Sequence, residues 1–159
     1  MKSLYKKSWL LRGALNCWPP LFFAGIRIEH LSSDYRQARV RLKLRAWNKN
    51  AVGTHFGGSM YAMTDPFYML MIKAVLGEEY LVWDKSADIE YVKPGKDVVV
   101  AEFVISDGLI EDIIAKTSQG EKYLPSLPVY IKDQQGETVA KANRTLYIRR
   151  KKRFRTNTN

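Results

Sequence analysis

The segment of residues 50–76 carries the polar residues whose types and spacing best suit chemistry. Residues 59–76 are almost all apolar, and Asp65 is the one carboxylate among them. Because an unpaired carboxylate is costly in apolar surroundings, Asp65 is a candidate general base. The alternative is structural, since Pro66 disfavours helical geometry at Asp65 and would place it at a helix kink.

Gly57 and Gly58 stand at the predicted N-terminus of this apolar helix. The first backbone N–H groups of a helix lack intrahelical acceptors and lie at the positive end of its dipole, so they can hold an anion or a developing oxyanion. Close packing of the helix start against a sheet explains the two glycines equally well. Asn50 opens the preceding polar loop, where asparagine commonly caps a turn.

The spacing of Asn50, seven residues to Gly57 and eight more to Asp65, resembles the helix motif of hotdog-fold acyl-CoA thioesterases of the phenylacetyl-CoA type. The resemblance covers residues 25–149. It implies that Asp65 activates water, or attacks the thioester directly, while the amide of Gly57 and the side chain of Asn50 polarise the carbonyl. The sequence departs from the family at Phe56, where the family usually has histidine.

Four further residues are candidates for substrate binding. Gly58 adjoins the helix start, and His55 lies one residue before the position of the family histidine. Hotdog relatives often place a hydroxyl residue of the third strand beside the carboxylate, and here the candidates are Asp84 and Ser86, which we expect to share a strand face. If Asp84 lies beside Asp65, the pKa of one of the two carboxyl groups should rise.

The surrounding periodicities predict an antiparallel sheet curled around one central helix. This is an α+β architecture, and the resemblance identifies it as a hotdog fold. A helix capped by Asp107 is expected over residues 107–116. The other predicted elements are a helix over residues 3–16, which Pro19 and Pro20 stop, and strands over residues 25–31, 37–44, 86–92, 97–106, 127–133 and 138–149.

The length of 159 residues and the hydrophobic content of 46% suit one globular domain. We expect an N-terminal helix and linker over residues 1–24, a hotdog domain over residues 25–149 and a basic, disordered tail over residues 150–159. The apolar segment of residues 59–76 contains Asp65, Pro66 and Lys73, which favour a buried helix over a membrane span.

The single cysteine, Cys17, excludes an internal disulfide framework and favours a cytoplasmic protein. Cysteine and histidine residues show no metal-site spacing, so the sequence predicts no metal and no organic cofactor. The N-terminal apolar run is interrupted by Arg12 and lacks the features of a signal peptide.

The net charge of +10 is concentrated at the C-terminus, where residues 149–155 hold six Lys or Arg side chains. Such a tail is usually solvated, although it could attract coenzyme A phosphates, an acidic membrane or RNA. Basic residues also alternate with apolar ones over residues 38–45, which is typical of the solvent face of a sheet.

The spacing of Gly57 and Asp65 has a consequence for the oligomeric state. Eight helical residues separate Gly57 from Asp65 by about 12 Å, too far for both to contact one carbonyl. Two copies with antiparallel helices, related by a two-fold axis near Tyr61, would bring Gly57 of one chain against Asp65 of the other. We therefore expect a homodimer, or a tetramer built from it.

Three functions are left to compare. The first is hydrolysis of an acyl-CoA or related thioester, and the second is binding of acyl-CoA without turnover. The third is nucleic-acid binding by the basic strand face and tail, for which no recognised module is present. The sequence contains neither a G-x-S-x-G motif nor a Walker or dinucleotide glycine pattern, which argues against a serine hydrolase and against nucleotide-binding enzymes.

Overall fold

The computed structural model describes residues 7–154. Its helices are α1 (Ser8–Cys17), α2 (Pro19–Ala24), α3 (Gly57–Ala62), α4 (Phe67–Leu76) and α5 (Asp107–Lys116). Its strands are β1 (Ile26–Leu31), β2 (Gln37–Lys43), β3 (Tyr80–Tyr91), β4 (Val98–Val104), β5 (Lys122–Tyr123), β6 (Ser126–Lys132) and β7 (Thr138–Arg150).

The strands form one antiparallel sheet in the order β1-β2-β4-β6-β7-β3, and the short β5 also pairs with β7. Both α3 and α4 contribute to the core that the sheet encloses. The predicted α+β hotdog architecture is therefore confirmed. Strand β3 lies at the end of this order and pairs only with β7 among the described strands, so its other edge is open.

Alternating burial explains how the strands face the core. In β2 the side chains of Ala38, Val40 and Leu42 are buried, while the residues between them are exposed or partly exposed. Helix α4 packs its buried aromatic residues against β4, where the ring centroids of Phe67 and Phe103 lie 5.0 Å apart. The core is thus made by one face of the sheet and the central helices.

The central helix is interrupted between Ala62 and Phe67, where the sequence predicts one continuous helix over residues 59–76. The amide of Asp65 still donates to the carbonyl of Ala62 at 3.2 Å. Pro66 has no N–H and its ring disfavours helical geometry in the residue before it, so the helix must restart. Asp65 consequently lies at the break rather than within a helical turn.

The N-terminal segment forms two helices where one was expected. Helix α1 buries Leu11 and Leu15 against the sheet. Trp18 is extended, and the two prolines after it occupy the first turn of α2, where the missing N–H groups carry no penalty. The part of the predicted helix over residues 3–6 lies outside the described residues.

Helix α5 has its predicted bounds, but its N-cap is Ser106 and not Asp107. The Ser106 hydroxyl oxygen accepts a hydrogen bond from the amide of Leu109 at 3.2 Å. Asp107 is the first helical residue, where its carboxylate favours the positive end of the dipole. Both residue types cap helices well, so the one-residue shift could not be read from composition.

Strands β3 and β7 extend further than predicted. Strand β3 begins at Tyr80, because its first residues pair with the end of β7, and the two-residue β5 has no counterpart among the predicted elements. Strand β7 reaches Arg150, which contacts the carboxylate of Glu79 at 3.0 Å, and a short helical turn follows over Lys152–Phe154. The rest of the predicted tail, residues 155–159, lies outside the described residues.

No helix within residues 7–154 is long and apolar enough to cross a membrane. In the same part of the chain, no group of three or more His, Cys, Asp or Glu side chains is arranged to hold a metal ion.

Candidate active site

The break between α3 and α4 presents the Asp65 side chain at the surface. Thr64 closes the end of α3 by donating its hydroxyl to the carbonyl of Tyr61 at 2.7 Å. The Asp65–Pro66 peptide bond is cis. With 49% of its side chain exposed, the Asp65 carboxylate is accessible while the residues on either side of it are buried.

Arg144 lies on the core-facing side of β7, in phase with the buried residues Ala142 and Leu146. Its side chain is only 3% exposed. A guanidinium in that position requires charged partners, because an unpaired buried charge is very costly. The two carboxylates that the sequence singled out, Asp65 and Asp84, supply those partners.

Arg144 bridges Asp65 and Asp84. Its Nη2 atom donates to Oδ2 of Asp65 at 2.6 Å and to Oδ1 of Asp84 at 2.8 Å. Its Nε atom also donates to Oδ1 of Asp84, at 3.1 Å. The buried Nη1 atom has no hydrogen-bond partner within the described residues. We call this group the Asp65–Arg144–Asp84 cluster.

The electrostatics of the cluster follow from one cation between two carboxylates. Burial raises the pKa of the Asp84 carboxyl group, and repulsion from Asp65 adds to this effect, while the guanidinium of Arg144 opposes it. Burial alone would lower the pKa of Arg144, but the two carboxylates outweigh it and the pKa is raised. Arg144 is therefore a permanent cation.

Tyr61 connects the cluster to the other end of α3. Its ring lies 5.5 Å from the guanidinium carbon of Arg144, within cation–π range. Its hydroxyl donates to the carbonyl of Ala87 in β3 at 3.5 Å, a long hydrogen bond. The face between α3 and β3 is thus aromatic in its middle and charged at the Asp65 end.

Tyr91 covers Gly57 at the opposite end of this face. A Cβ atom on Gly57 would lie 2.8 Å from the Tyr91 hydroxyl oxygen, so only glycine allows this approach. Burial raises the pKa of the Tyr91 phenol, and Tyr61 contributes to the shift. Within the described residues, the amides of Gly57 and Gly58 have no hydrogen-bond acceptor, as expected for first-turn amides.

Gly57 is the first residue of α3, and Asp65 lies three residues beyond its last residue, Ala62. The six-residue helix between them is about 9 Å long. The structure of one chain therefore does not bring them together. Gly58 packs against the ring of Phe56, the residue that precedes α3. Phe56 itself is exposed.

The Asn50 side chain forms its hydrogen bonds within its own loop. Its Oδ1 atom accepts from the amides of Val52 and Thr54 at 3.1 Å and 3.0 Å. Its Nδ2 atom donates to the Thr54 hydroxyl at 2.9 Å and to the carbonyl of His55 at 3.3 Å. Asn50 therefore sets the shape of the loop that leads into α3.

His55 is buried next to Gly95 and is not part of the Asp65–Arg144–Asp84 cluster. Its Nε2 atom lies 3.1 Å from the carbonyl oxygen of Asp97, and its amide donates to the carbonyl of Gly95 at 3.0 Å. Burial lowers the pKa of the His55 imidazole, although the Asp97 contact opposes this shift. These contacts attach the loop before α3 to the loop before β4.

Asp84 and Ser86 do not share a strand face, contrary to the prediction. Asp84 pairs with Leu146 and Ser86 pairs with Thr145, so a β-bulge at Lys85 inserts one extra residue. A bulge reverses the alternation of side chains beyond it. Asp84 therefore faces the cluster, whereas Ser86 is exposed on the other face.

Sequence reasoning missed Arg144 and Tyr91. Arg144 carries a detectable signal, because it interrupts the apolar alternation of Ala140, Ala142, Leu146 and Ile148 in a predicted strand. Tyr91 carries none, since its position over Gly57 depends on the packing of β3 against α3. The cluster can be recognised only when both carboxylates and the arginine are considered together.

The part of the basic strand face that Arg39 and Arg41 form is neutralised by neighbouring carboxylates. Glu29 contacts Arg39 at 3.2 Å and Arg41 at 3.1 Å, and Arg39 also pairs with Glu102 in β4. Nucleic acid binds mainly through unneutralised positive charge. These ion pairs therefore argue against this part of the face as a nucleic-acid surface.

A family model described as a domain of unknown function (DUF4442) matches residues 6–148. No curated protein matches the sequence significantly.

Solved structures with the same fold include several thioesterases by name. The protein PA5026 of Pseudomonas aeruginosa, named a probable thioesterase, has a TM-score of 0.76 and 20% identity over 90% of this chain and 95% of its own. The thioesterase HI1161 of Haemophilus influenzae has a TM-score of 0.64 and 15% identity over 91% and 94%. The protein OLEI01261 of Chlorobaculum tepidum, of unknown function, has a TM-score of 0.72 and 15% identity over 92% and 99%.

Proposed function

This chain belongs to the family described as a domain of unknown function, DUF4442, and from this premise and the hotdog fold we propose that it is a thioesterase that hydrolyses acyl-CoA. The structural neighbours named as thioesterases support the class of reaction. The spacing of Asn50, Gly57 and Asp65 supports the phenylacetyl-CoA type within that class. The cytoplasm is the proposed compartment, since one cysteine offers no internal disulfide.

One observation carries this proposal: Asp65 is half exposed at a break in the central helix while a buried arginine holds one of its oxygens. Its other oxygen, Oδ1, has no hydrogen-bond partner within the described residues. The carboxylate is therefore oriented on one side and open to a water molecule on the other. Positioning of this kind is what general-base catalysis needs.

The proposed reaction starts with a water molecule hydrogen-bonded to Asp65. The carboxylate takes a proton from the water as its oxygen attacks the thioester carbonyl carbon, which gives a tetrahedral oxyanion. Amide groups at the start of α3, that of Gly57 first, stabilise this oxyanion. The intermediate then expels the thiolate, which takes up the proton, and the acid is released.

Direct attack by Asp65 on the carbonyl is the alternative chemistry. The carboxylate oxygen would displace the thiolate and form a mixed anhydride, which water then hydrolyses. Single-turnover hydrolysis in ¹⁸O-water detects the anhydride route when water attacks the Asp65 side of the anhydride. Attack of water on the Asp65 carboxyl carbon would leave heavy oxygen in the peptide that contains Asp65, whereas a general base would remain unlabelled.

The site requires two copies of the chain in this proposal, because Gly57 and Asp65 stand at opposite ends of α3. Antiparallel α3 helices related by a two-fold axis near Tyr61 would place Gly57 of one chain opposite Asp65 of its partner. The open edge of β3 offers a surface on which such a pair can form. A homodimer is the smallest active unit, and a tetramer would contain two of them.

Binding of acyl-CoA without turnover is the second candidate, and one contact favours it. Asp65 is already ion-paired, so accepting a proton from water weakens its contact with Arg144. A chain that only binds would keep the cluster as a structural element. Comparing hydrolysis with binding therefore separates the two candidates.

The test is a panel of acyl-CoA thioesters, beginning with arylacetyl-CoA and including short and long straight chains, with release of free thiol as the readout. We expect hydrolysis by the wild type and a loss of about 10² or more with Asp65→Asn. The matched control is Asp112→Asn, because Asp112 pairs with Lys116 on α5, outside the cluster. Saturable binding without hydrolysis by the wild type would establish the second candidate instead.

A further inference from the structure

A group of large aromatic side chains is exposed where α2 meets the segment after β2. Phe23 and Trp47 are 70% and 66% exposed. The rings of Phe22 and Phe23 are perpendicular, with centroids 5.3 Å apart. The indole N–H of Trp47 donates to the carbonyl of Phe23 at 3.2 Å, so the aromatic residues of two segments form one surface.

Three basic residues surround these rings. The guanidinium of Arg27 lies 5.1 Å from the centre of the Phe22 ring, and that of Arg45 lies 5.3 Å from the centre of the Trp47 ring. Lys43 lines the same hollow of about 220 Å³ between them. We call Phe22, Phe23, Trp47, Arg27, Lys43 and Arg45 the aromatic–basic patch.

The positive charge of this patch is not neutralised. Within the described residues, Arg27, Lys43 and Arg45 have no carboxylate partner, and no carboxylate lines the hollow. The neighbouring Arg39 and Arg41 are different, because both pair with Glu29. Contact with an aromatic face leaves the charge of a guanidinium available to an anion.

This combination is characteristic of a surface that meets lipid headgroups. A contiguous exposed apolar patch that is rimmed by polar or charged residues marks an interaction site, whereas apolar residues that are exposed singly need no explanation. Aromatic side chains are enriched at the depth of the headgroups, where one end of the ring is apolar and the other is hydrated. Lys and Arg next to them are attracted to anionic lipid phosphates.

We propose that the aromatic–basic patch docks this protein on the surface of a membrane that contains anionic lipids. Phe22, Phe23 and Trp47 enter the headgroup layer, and Arg27, Lys43 and Arg45 contact the phosphates around them. Such docking is peripheral and needs no spanning helix. It is independent of thioester hydrolysis, because the patch shares no residue with the Asp65–Arg144–Asp84 cluster.

Vesicle co-sedimentation of the full chain tests this proposal. The protein should sediment with phosphatidylcholine vesicles that contain phosphatidylglycerol and stay in solution with phosphatidylcholine alone, and added salt should release it. The double variants Phe23→Ser/Trp47→Ser and Lys43→Gln/Arg45→Gln should each lower the partition coefficient roughly tenfold or more. Hydrolysis of a soluble thioester should not change in either variant.

The matched control is Tyr130→Ser/Lys132→Gln, which removes an exposed aromatic and a basic residue from β6. This control should sediment like the wild type. Circular dichroism verifies folding, and the single variants Phe23→Ala and Lys43→Gln replace any double variant that fails to fold.

Several results would overturn the proposal. Failure of the wild type to sediment with anionic vesicles would do so, as would equal losses in the patch variants and the control. A change of oligomeric state confined to the patch variants would assign the patch to a second copy of the chain. RNA binding that depends on the patch, without vesicle binding, would assign it to nucleic acid.

Discussion

The Nη2 atom of Arg144 lies 2.6 Å from Oδ2 of Asp65, although 79 residues separate them in the chain. This contact joins the break in the central helix to the core-facing side of β7. Through the second contact of Arg144, with Asp84, it also joins that break to the bulged strand β3. The three charges therefore depend on one another.

Replacing Arg144 with Met should destabilise the protein. Without the guanidinium, the carboxylates of Asp65 and Asp84 repel each other and lose their hydrogen bonds. We expect a loss of about 2–3 kcal/mol, on the low side for a disrupted buried ion pair because Asp65 is half exposed. Urea unfolding at neutral pH measures this free energy, and Lys141→Met, on the outward face of the same strand, is the matched control.

A double substitution tests whether repulsion between the two carboxylates causes this loss of stability. Arg144→Met/Asp84→Asn removes one of the two repelling charges, so it should be more stable than Arg144→Met alone. If the double variant is no more stable than Arg144→Met alone, repulsion between the carboxylates does not explain the loss.

Gly57→Ala should reduce turnover much more than stability. The new Cβ atom would meet the Tyr91 ring and hydroxyl, so either the ring or the start of α3 must move. Displaced oxyanion donors should lower kcat by roughly 10-fold or more. Steady-state kinetics and thermal unfolding of the same preparation measure the two effects.

Gly108→Ala is the control for this substitution. A Cβ atom at Gly108 meets nothing within 4 Å, and the residue lies in α5. Alanine there should raise stability by about 0.5–1 kcal/mol and leave turnover unchanged. Wild-type kcat in Gly57→Ala would remove Gly57 from the proposed oxyanion site.

Mixed dimers should recover activity if each site takes Gly57 from one chain and Asp65 from the other. In a dimer of one Asp65→Asn chain and one Gly57→Ala chain, one site carries both substitutions and the other carries neither. We expect about half of the wild-type activity per mixed dimer after dissociation and reassociation, as the two-fold symmetry requires. Mass spectrometry counts the mixed dimers, and their inactivity would place the whole site within one chain.

Stability should fall as the pH drops below about 6.5, because burial lowers the pKa of His55 from its ordinary value of 6.5. The unfolded chain then binds a proton more readily than the folded chain does. The stabilising contribution is fully present above pH 6.5 and is lost as the pH falls through the lowered pKa of the folded state. Urea unfolding at a series of pH values measures it.

The chain contains only two histidines, His30 and His55. Two single variants therefore suffice to assign the pH dependence of unfolding to one of them. His55→Gln should flatten the pH dependence of unfolding in this window. His30→Gln, which replaces the exposed histidine of β1, is the matched control. Equal pH dependence in the wild type and both variants would show that His55 is not its origin.

The sequence by itself determined several of the elements and singled out one carboxylate. Apolar alternation predicted β2 within one residue of its end, and the pattern of Asp107–Lys116 predicted the bounds of α5. These are local effects, because the periodicity of side chains and the chemistry of turns act over a few residues. Asp65 was recognisable for the same reason, as a charge within an apolar segment followed by proline.

The tertiary structure decided which groups meet that charge. The contact of Arg144 with Asp65 depends on where the break in the central helix lies against β7. The contact of Arg144 with Asp84 depends on the register of β7 against β3, in which the bulge at Lys85 turns Asp84 toward the cluster and Ser86 away from it. Register arises from pairings between distant segments, and one inserted residue reverses every side chain beyond it. Sequence alone therefore located the carboxylate, while folding selected the arginine that holds it.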